Sequence, residues 1–389
     1  MSKMKIYVED CIMQKDESVT AGSKILDGFI SPFDAEIVEN LTKAGMKIGK
    51  RLPMDEFGLD NYFSDNDEIL SVVKEAAADK DVVVLCNDIS GKIRRQAALK
   101  GLYYIKPAYG TVSRHGLVPV VASMDQIGVL CADLAKGFEV LEIIRDDDGN
   151  TEKIRIPQNQ GECHCERSKA NQNEKAKERH CEPPKEGLRS EAIQNEKERH
   201  CERSEAIQQQ IRVAIPNNVW ENDTSIIPEL KEKFENIEMT LDYFDVYHQV
   251  LYILSTAEFS NNTNRYDGIK FGYRSPDSKN LNDLYINTRS ECFTLNTKLN
   301  IIMGASVLSK ENYESQYEKA MKLRRLINES VKFDTYDIIA LPIEMKNKSK
   351  YEQSALYALT ALTGLPSLTI PFGDSGVQLI AKTERYFNE

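Results

Sequence analysis

The stretch that most limits how this chain can fold is CNDISGKIRRQAALKGLYYIKPAYGTVSR, residues 86–114. Immediately before it, residues 82–85 read VVVL, a β-branched run without a polar interruption. A run of that kind reads as a strand. It empties into a turn at Ser90-Gly91 and then into a helix start. Strand, tight turn and helix in that order hold a side chain at a strand end, over a possible oxyanion site. At 389 residues and 41% hydrophobic content, the chain has enough material for one large α/β domain or two ordinary ones.

The rest of the chain alternates in the same way. Residues 5–8 read as a short strand leading to Glu9-Asp10, and residues 33–41 have helical spacing with Asp34 as N-cap and Gly45 as stop. Ile69, Val72, Val73 and Ala76 fall on one face of a further helix. Residues 134–144 read as a helix, 211–216 as a strand, 222–236 as a helix and 237–241 as a strand. Tyrosines and phenylalanines near residues 243–252 are expected in the core or at an interface.

Residues 158–210 are a different material. The unit ERHCE recurs, RSEAIQ occurs twice, and charge with Gln and Asn dominates. Such a segment buries too little apolar surface to offset the ordering of its backbone. Its Cys163, His164, Cys165, His180, Cys181, His200 and Cys201 are thiols and imidazoles of the kind that bind zinc. They arise by repetition of HCE in a polar tether, without the paired spacing of a zinc knuckle, so no structural metal is expected.

A net charge of -11 speaks against a broad nucleic-acid surface. No stretch approaches the roughly 18 apolar residues of a membrane span. The opening MSKMKIYVEDC lacks the apolar core of a signal peptide. The expectation is a cytoplasmic protein whose 8 cysteines stay reduced. Cys11, Cys86, Cys131 and Cys292 then serve as small packing residues.

The organising stretch also resembles the amidase signature family, whose core reads G-S-D-T-G-G-S-I-R-x-P-A-A, then G, then L-K-P-T-Y-G-R-V-S-R. Asp88, Gly91, Ile93, Arg94, Ala97, Ala98, Gly101, Lys106, Pro107, Tyr109, Gly110, Val112, Ser113 and Arg114 match in register. VEDC, TAGSKILDGF, DAEIVENLTKAG, KRLPMDEFG, MDQIGVL and RYDGIKFGYR are similar to motifs of the family's amidotransferase branch, that of the A subunits, in the right order. Proteins of that branch serve glutamyl-tRNA(Gln) or aspartyl-tRNA(Asn) amidotransferases. The resemblance implies an α/β/α sandwich around a mixed twisted sheet, built from residues 1–157 and 211–389, with 158–210 looping out as a disordered insert. The family's glycine- and serine-rich loop is missing from residues 59–78. The resemblance also implies helices before residue 1 and after Glu389 that this sequence does not hold.

An amide carbonyl is a poor electrophile and needs an activated nucleophile, a proton route and oxyanion donors. The family uses a serine nucleophile, a bridging serine and a neutral lysine, a Ser-Lys variant of the nucleophile-base scheme. By the resemblance these three positions fall on Lys92, Glu68 and Glu9. No hydroxyl remains at any of them, and a buried Lys92–Glu9 ion pair is the expected substitute. The residues that anchor glutamine in the family fall on Asn300 and Ser354, which carry no charge. Asp88, Gly91 and Arg94 are expected to fix the turn, and Asp125 and Gln126 to support the loop beside the site.

The expectation is therefore a degenerate copy of the glutamine-hydrolysing component, catalytically inactive. The intact family complex is a carbon–nitrogen ligase with glutamine as amido donor, supplying ammonia for transamidation of misacylated tRNA. Its partners would be the B and C subunits of that complex, with tRNA reached only indirectly and no membrane or DNA. No cofactor is implied for this chain, ATP being used by a partner protein of the complex. The competing expectations are a drifting gene product without function, or an active amidase with a rebuilt site around Ser90.

Overall fold

In the computed structural model, which describes residues 4–59, 68–146, 211–220 and 227–387, the apolar run at 82–85 lies inside a ten-stranded sheet. Apart from Ile211, the described residues belong to the unit formed by 1–156 with 212–389. The insert expected at 158–210, with its Cys/His repeats, lies outside the described residues. The strands are β1 (Lys5–Glu9), β2 (Ile48–Leu52), β3 (Val82–Asn87), β4 (Tyr103–Lys106), β5 (Ile127–Cys131), β6 (Arg212–Pro216), β7 (Glu235–Met239), β8 (Ile338–Pro342), β9 (Ser367–Phe372) and β10 (Ser375–Ala381). Their order is β2-β1-β3-β5-β4-β9-β10-β8-β6-β7.

That order contains one pattern twice. From one edge inward it runs 2-1-3-5-4, and from the other edge 7-6-8-10-9. β1 pairs parallel with β2 and β3, while β5 runs antiparallel to β3 and β4. β6 likewise pairs parallel with β7 and β8, and β10 runs antiparallel to β8 and β9. The halves meet at the antiparallel pair β4–β9. In each half, two adjacent parallel strands send the chain in opposite directions: β1 toward β2 and β3 toward β4, then β6 toward β7 and β8 toward β9. Such a divergence opens a crevice outside the carboxyl ends of the two strands. The molecule has two of them.

The helices are α1 (Glu36–Lys43), α2 (Ser71–Ala78), α3 (Lys92–Leu99), α4 (Leu134–Ile144), α5 (Ile227–Lys233), α6 (Tyr247–Thr263), α7 (Leu281–Cys292), α8 (Leu295–Val307), α9 (Lys319–Ser330), α10 (Lys350–Gln353) and α11 (Ala355–Thr363). On one face of β3, Val82, Val84 and Cys86 pack with Val72, Val73 and Ala76 of α2 and with Ile93 and Ala97 of α3. On the other face, Val83 stands opposite Cys131 of β5. There α4 approaches so closely that a Cβ at Gly137 would fall 2.6 Å from Cys131 Sγ. Helices on both faces are why the run at 82–85 carries no polar alternation.

Several local expectations are corrected. Asp34 does not cap α1: its Oδ1 accepts the Lys15 N–H at 2.8 Å, and Ala35 holds the cap position. The helix ends before Gly45, whose φ of +79° supplies the stop. Ile69 precedes α2 and is exposed, because the helix starts at Ser71. The helix expected at 222–236 is α5, and the strand after it starts two residues early, at Glu235. Its register is set by parallel pairing with β6, Arg212 against Glu235 through Pro216 against Met239. Among the described residues no helix is long and apolar enough to cross a membrane.

Candidate active site

The first crevice lies where β1 and β3 end. The turn after β3 is held by Gly91, the N-cap of α3, at φ +95°. A Cβ there would meet the Tyr357 ring at 2.0 Å, so both the backbone conformation and the packing require glycine. The Asp88 carboxylate accepts the Gly91 N–H at 2.9 Å and the Arg94 N–H at 3.0 Å. Its Oδ2 also accepts Arg94 Nε at 2.9 Å.

Arg94 is fully buried beneath this turn. One terminal nitrogen donates to Thr360 Oγ1 at 2.9 Å and Gln378 Oε1 at 2.8 Å, and the other to the carbonyls of Asp88 and Ile89. With Nε on Asp88, all five guanidinium donors are used. The guanidinium also lies 4.8 Å from the Tyr357 ring centroid. Asp88 and Arg94 thus tie the turn to α11 and β10 at once.

Beside them lies a second buried network. Asp125 accepts the N–H groups of Val120 and Val121 at 3.0 and 3.1 Å, and Asn87 Nδ2 at 2.9 Å. Asn87 Oδ1 in turn accepts the Gln126 N–H at 3.1 Å. Burial pushes the Asp125 carboxyl up, against the pull of these donors. Gln126 donates to the Pro107 carbonyl at 2.7 Å and accepts from Lys106. Lys106 is buried, and desolvation together with the Arg94 charge lowers it to about 7. Asp125 and Gln126 hold the segments after β4 and before β5.

The three positions assigned to the triad by resemblance separate into two environments. Glu9 closes β1 and is buried; its Oε2 accepts the Asn87 N–H at 3.0 Å and Cys11 Sγ at 3.6 Å. Burial, with Asp88 and Asp55 nearby, raises its carboxyl to about 8, so it keeps its proton at neutral pH. Lys92 does not pair with Glu9, contrary to expectation. Its Nζ lies 2.5 Å from Asp55 Oδ2, with 24% of the side chain exposed. The physical reason is hydration. The lysine stem reaches the rim, where ammonium and carboxylate meet without being stripped of water.

Lys92, Asp55 and Glu68 line one open pocket of about 530 Å³, which Glu9 does not line. Glu56 lies there too, but it is committed: Oε2 accepts the Thr294 N–H at 2.9 Å and Oε1 accepts Ser23 Oγ at 2.5 Å. Ser71, at the first turn of α2, also lines the pocket, and among the described residues its hydroxyl has no hydrogen-bond partner. Ser90 is not on the lining. Neither are Asn300, whose Nδ2 donates to the Asn296 carbonyl at 2.9 Å, and Ser354, whose Oγ donates to the Tyr351 carbonyl at 2.6 Å. Sequence reasoning missed Asp55 as the partner of Lys92, and Ser71 as a pocket hydroxyl. Asp55 is visible in PMDEFG, but nothing local says that it faces α3. Among the described residues no three His, Cys, Asp or Glu side chains are grouped to hold a metal ion.

A family model described as Amidase matches residues 4–66, 76–181 and 190–385. The A subunit of glutamyl-tRNA(Gln) amidotransferase from Lactococcus lactis subsp. lactis is 30% identical over 425 residues, spanning 99% of this chain and 80% of that protein. The corresponding protein of Lachnoclostridium phytofermentans is 29% identical over 436 residues, with 98% and 80% covered. Among solved structures, a crystal structure of an amidase superposes with a TM-score of 0.66 at 17% identity, over 98% of this chain and 81% of that one. The crystal structure of the glutamyl-tRNA(Gln) amidotransferase A subunit from Thermotoga maritima superposes with a TM-score of 0.60 at 21% identity, again over 98% and 81%.

Proposed function

The chain belongs to the amidase family, on the branch of the glutamyl-tRNA(Gln) amidotransferase A subunits, and from that premise we propose that it keeps the scaffold without the amide-cleaving chemistry. The observation that carries this reading is Lys92. It stands at the head of α3, where the family pattern has its nucleophilic serine, and its ammonium is held by Asp55 at 2.5 Å. Glu9, at the position of the family's lysine, keeps its own proton at neutral pH and supplies no base. Losing a nucleophile from such a unit costs on the order of 10⁴-fold or more in turnover.

On this reading the protein is cytoplasmic and acts through binding. It takes the place of the glutamine-hydrolysing component beside the B and C subunits of the amidotransferase, and approaches tRNA only through them. The test has two arms. Purified protein should release no ammonia from glutamine or simple amides above a heat-inactivated control. The co-expressed B subunit should co-purify with it. Ammonia release above the control, or no co-purification, contradicts the reading.

One observation favours a second reading, an amidase with a rebuilt site. Ser71 is a hydroxyl on the pocket wall, with Lys74 and Lys92 on the same lining. Lys92 is paired with Asp55, and no base is hydrogen-bonded to Ser71 among the described residues. An alcohol in that state is a weak nucleophile. Amide hydrolysis abolished by Ser71→Ala would establish this second reading over the first.

A further inference from the structure

The second crevice, outside the carboxyl ends of β6 and β8, is the counterpart of the first in the repeated strand order. It holds a cavity of about 270 Å³, just below the roughly 300–1,000 Å³ of drug-sized ligand pockets and large enough for a smaller molecule. Its walls come from the segments leaving both strands, from the start of α6 and from α10. We propose that this cavity binds a small zwitterion, an α-amino acid with an apolar side chain.

The lining carries the argument. Val219, Phe244, Pro342 and Met345 make an apolar floor. Around it stand Asp245, Glu344 and Glu352 against Lys346 and Lys348, with Arg95 adding a third cation through its 2.9 Å contact with Glu344. Three carboxylates and two lysines on the lining, with Arg95 neutralising Glu344 from outside it, select no net charge. An anion or a cation alone meets as much repulsion as attraction, whereas a zwitterion meets a partner at each pole. The cation pole has an available partner, since Asp245 is exposed and makes no hydrogen bond or ion pair among the described residues. The anion pole has Lys348, now 3.0 Å from Glu352 at the surface, and His248.

His248 is the built element. Its ring stands edge-on to Tyr351 at 4.8 Å, and Tyr351 meets Tyr252 at 5.5 Å, so the imidazole is fixed by packing. Its nitrogens have no hydrogen-bond partner among the described residues, although the residue is half-buried. Burial lowers its pKa, leaving at neutral pH one N–H donor and one acceptor on the cavity wall. A neutral donor beside a lysine suits a carboxylate.

The test uses the full chain and nuclear magnetic resonance of the His248 ring, assigned with His248→Asn. Leucine is titrated beside 4-methylpentanoate and 3-methylbutylamine, which lack its amino and carboxyl groups respectively. Leucine should shift the His248 signals saturably, with Kd on the order of 1 mM or tighter, and each one-pole analogue should bind at least about tenfold more weakly. Asp245→Asn and Lys348→Met, both at exposed side chains, should each weaken leucine while the melting curve stays that of the wild type. Absence of a saturable shift with leucine would overturn the proposal. So would equal binding of either analogue.

Discussion

Arg94 and Glu9 show how differently two buried charges behave beside the same turn. Arg94 is fully paired, so truncation leaves Asp88 buried without its cation. Arg94→Met should cost about 3–5 kcal/mol in urea unfolding, and a loss below about 1 kcal/mol would mean the network is not what holds α3 to α11. Glu9 has no cation and holds a proton instead. Its folded pKa near 8 lies above the 4.5 of an unperturbed glutamate. Between those values the unfolded chain is ionised and the folded chain is not, so folding takes up a proton and stability falls as pH rises. Glu9→Gln removes that dependence. The variant should gain on the wild type by up to about 1.4 kcal/mol per pH unit from 4.5 to 8, and the two should converge below pH 4.5. Parallel stability curves would show that Glu9 is ionised in the fold. The Asp88–Arg94 contact lies within one glycine turn, six residues apart, a spacing visible in the sequence. The Lys92–Asp55 pair was not visible there, since its partners stand 37 residues apart and meet only through the fold.

At the scale of elements, the turn into α3 is the most constrained. Gly91→Ala combines a left-handed backbone with a collision against Tyr357 and should cost about 2–5 kcal/mol, read from the urea midpoint. Lys92→Ser, one residue on, tests chemistry more than stability. The Lys92–Asp55 pair is partly exposed, so its loss should cost no more than about 1 kcal/mol. The variant regains the family's hydroxyl yet should still release no ammonia from glutamine, because Glu9 holds its proton and Glu68 provides no hydroxyl relay. Recovered activity would show that a base survives in the pocket. Strongly patterned elements were legible: β3 and α4 fall where the sequence reading places them. Helix starts were less so. Asp34 had the right residue type for a cap but was taken by Lys15 N–H, a contact 19 residues back in the chain.

At the scale of the molecule, two five-strand halves of like order meet at β4 and β9. Each half opens a crevice at the end of its inner parallel strands. This duplication was not legible from composition or motif, because the two halves carry different residues at corresponding places: Glu9 closes β1 where Pro216 closes β6. Local pattern fixed the strands, and pairing between distant strands fixed their order. The first crevice, where the resemblance puts the family's catalytic positions, carries the Lys92–Asp55 salt bridge at its rim. Treatment of the purified full chain with a fluorophosphonate that phosphonylates activated serines, followed by intact and peptide mass measurement, addresses that crevice most directly. The expected result is an unmodified mass after prolonged exposure. A single adduct mapped to Ser71 or Ser90 would contradict the loss of catalysis proposed for this scaffold.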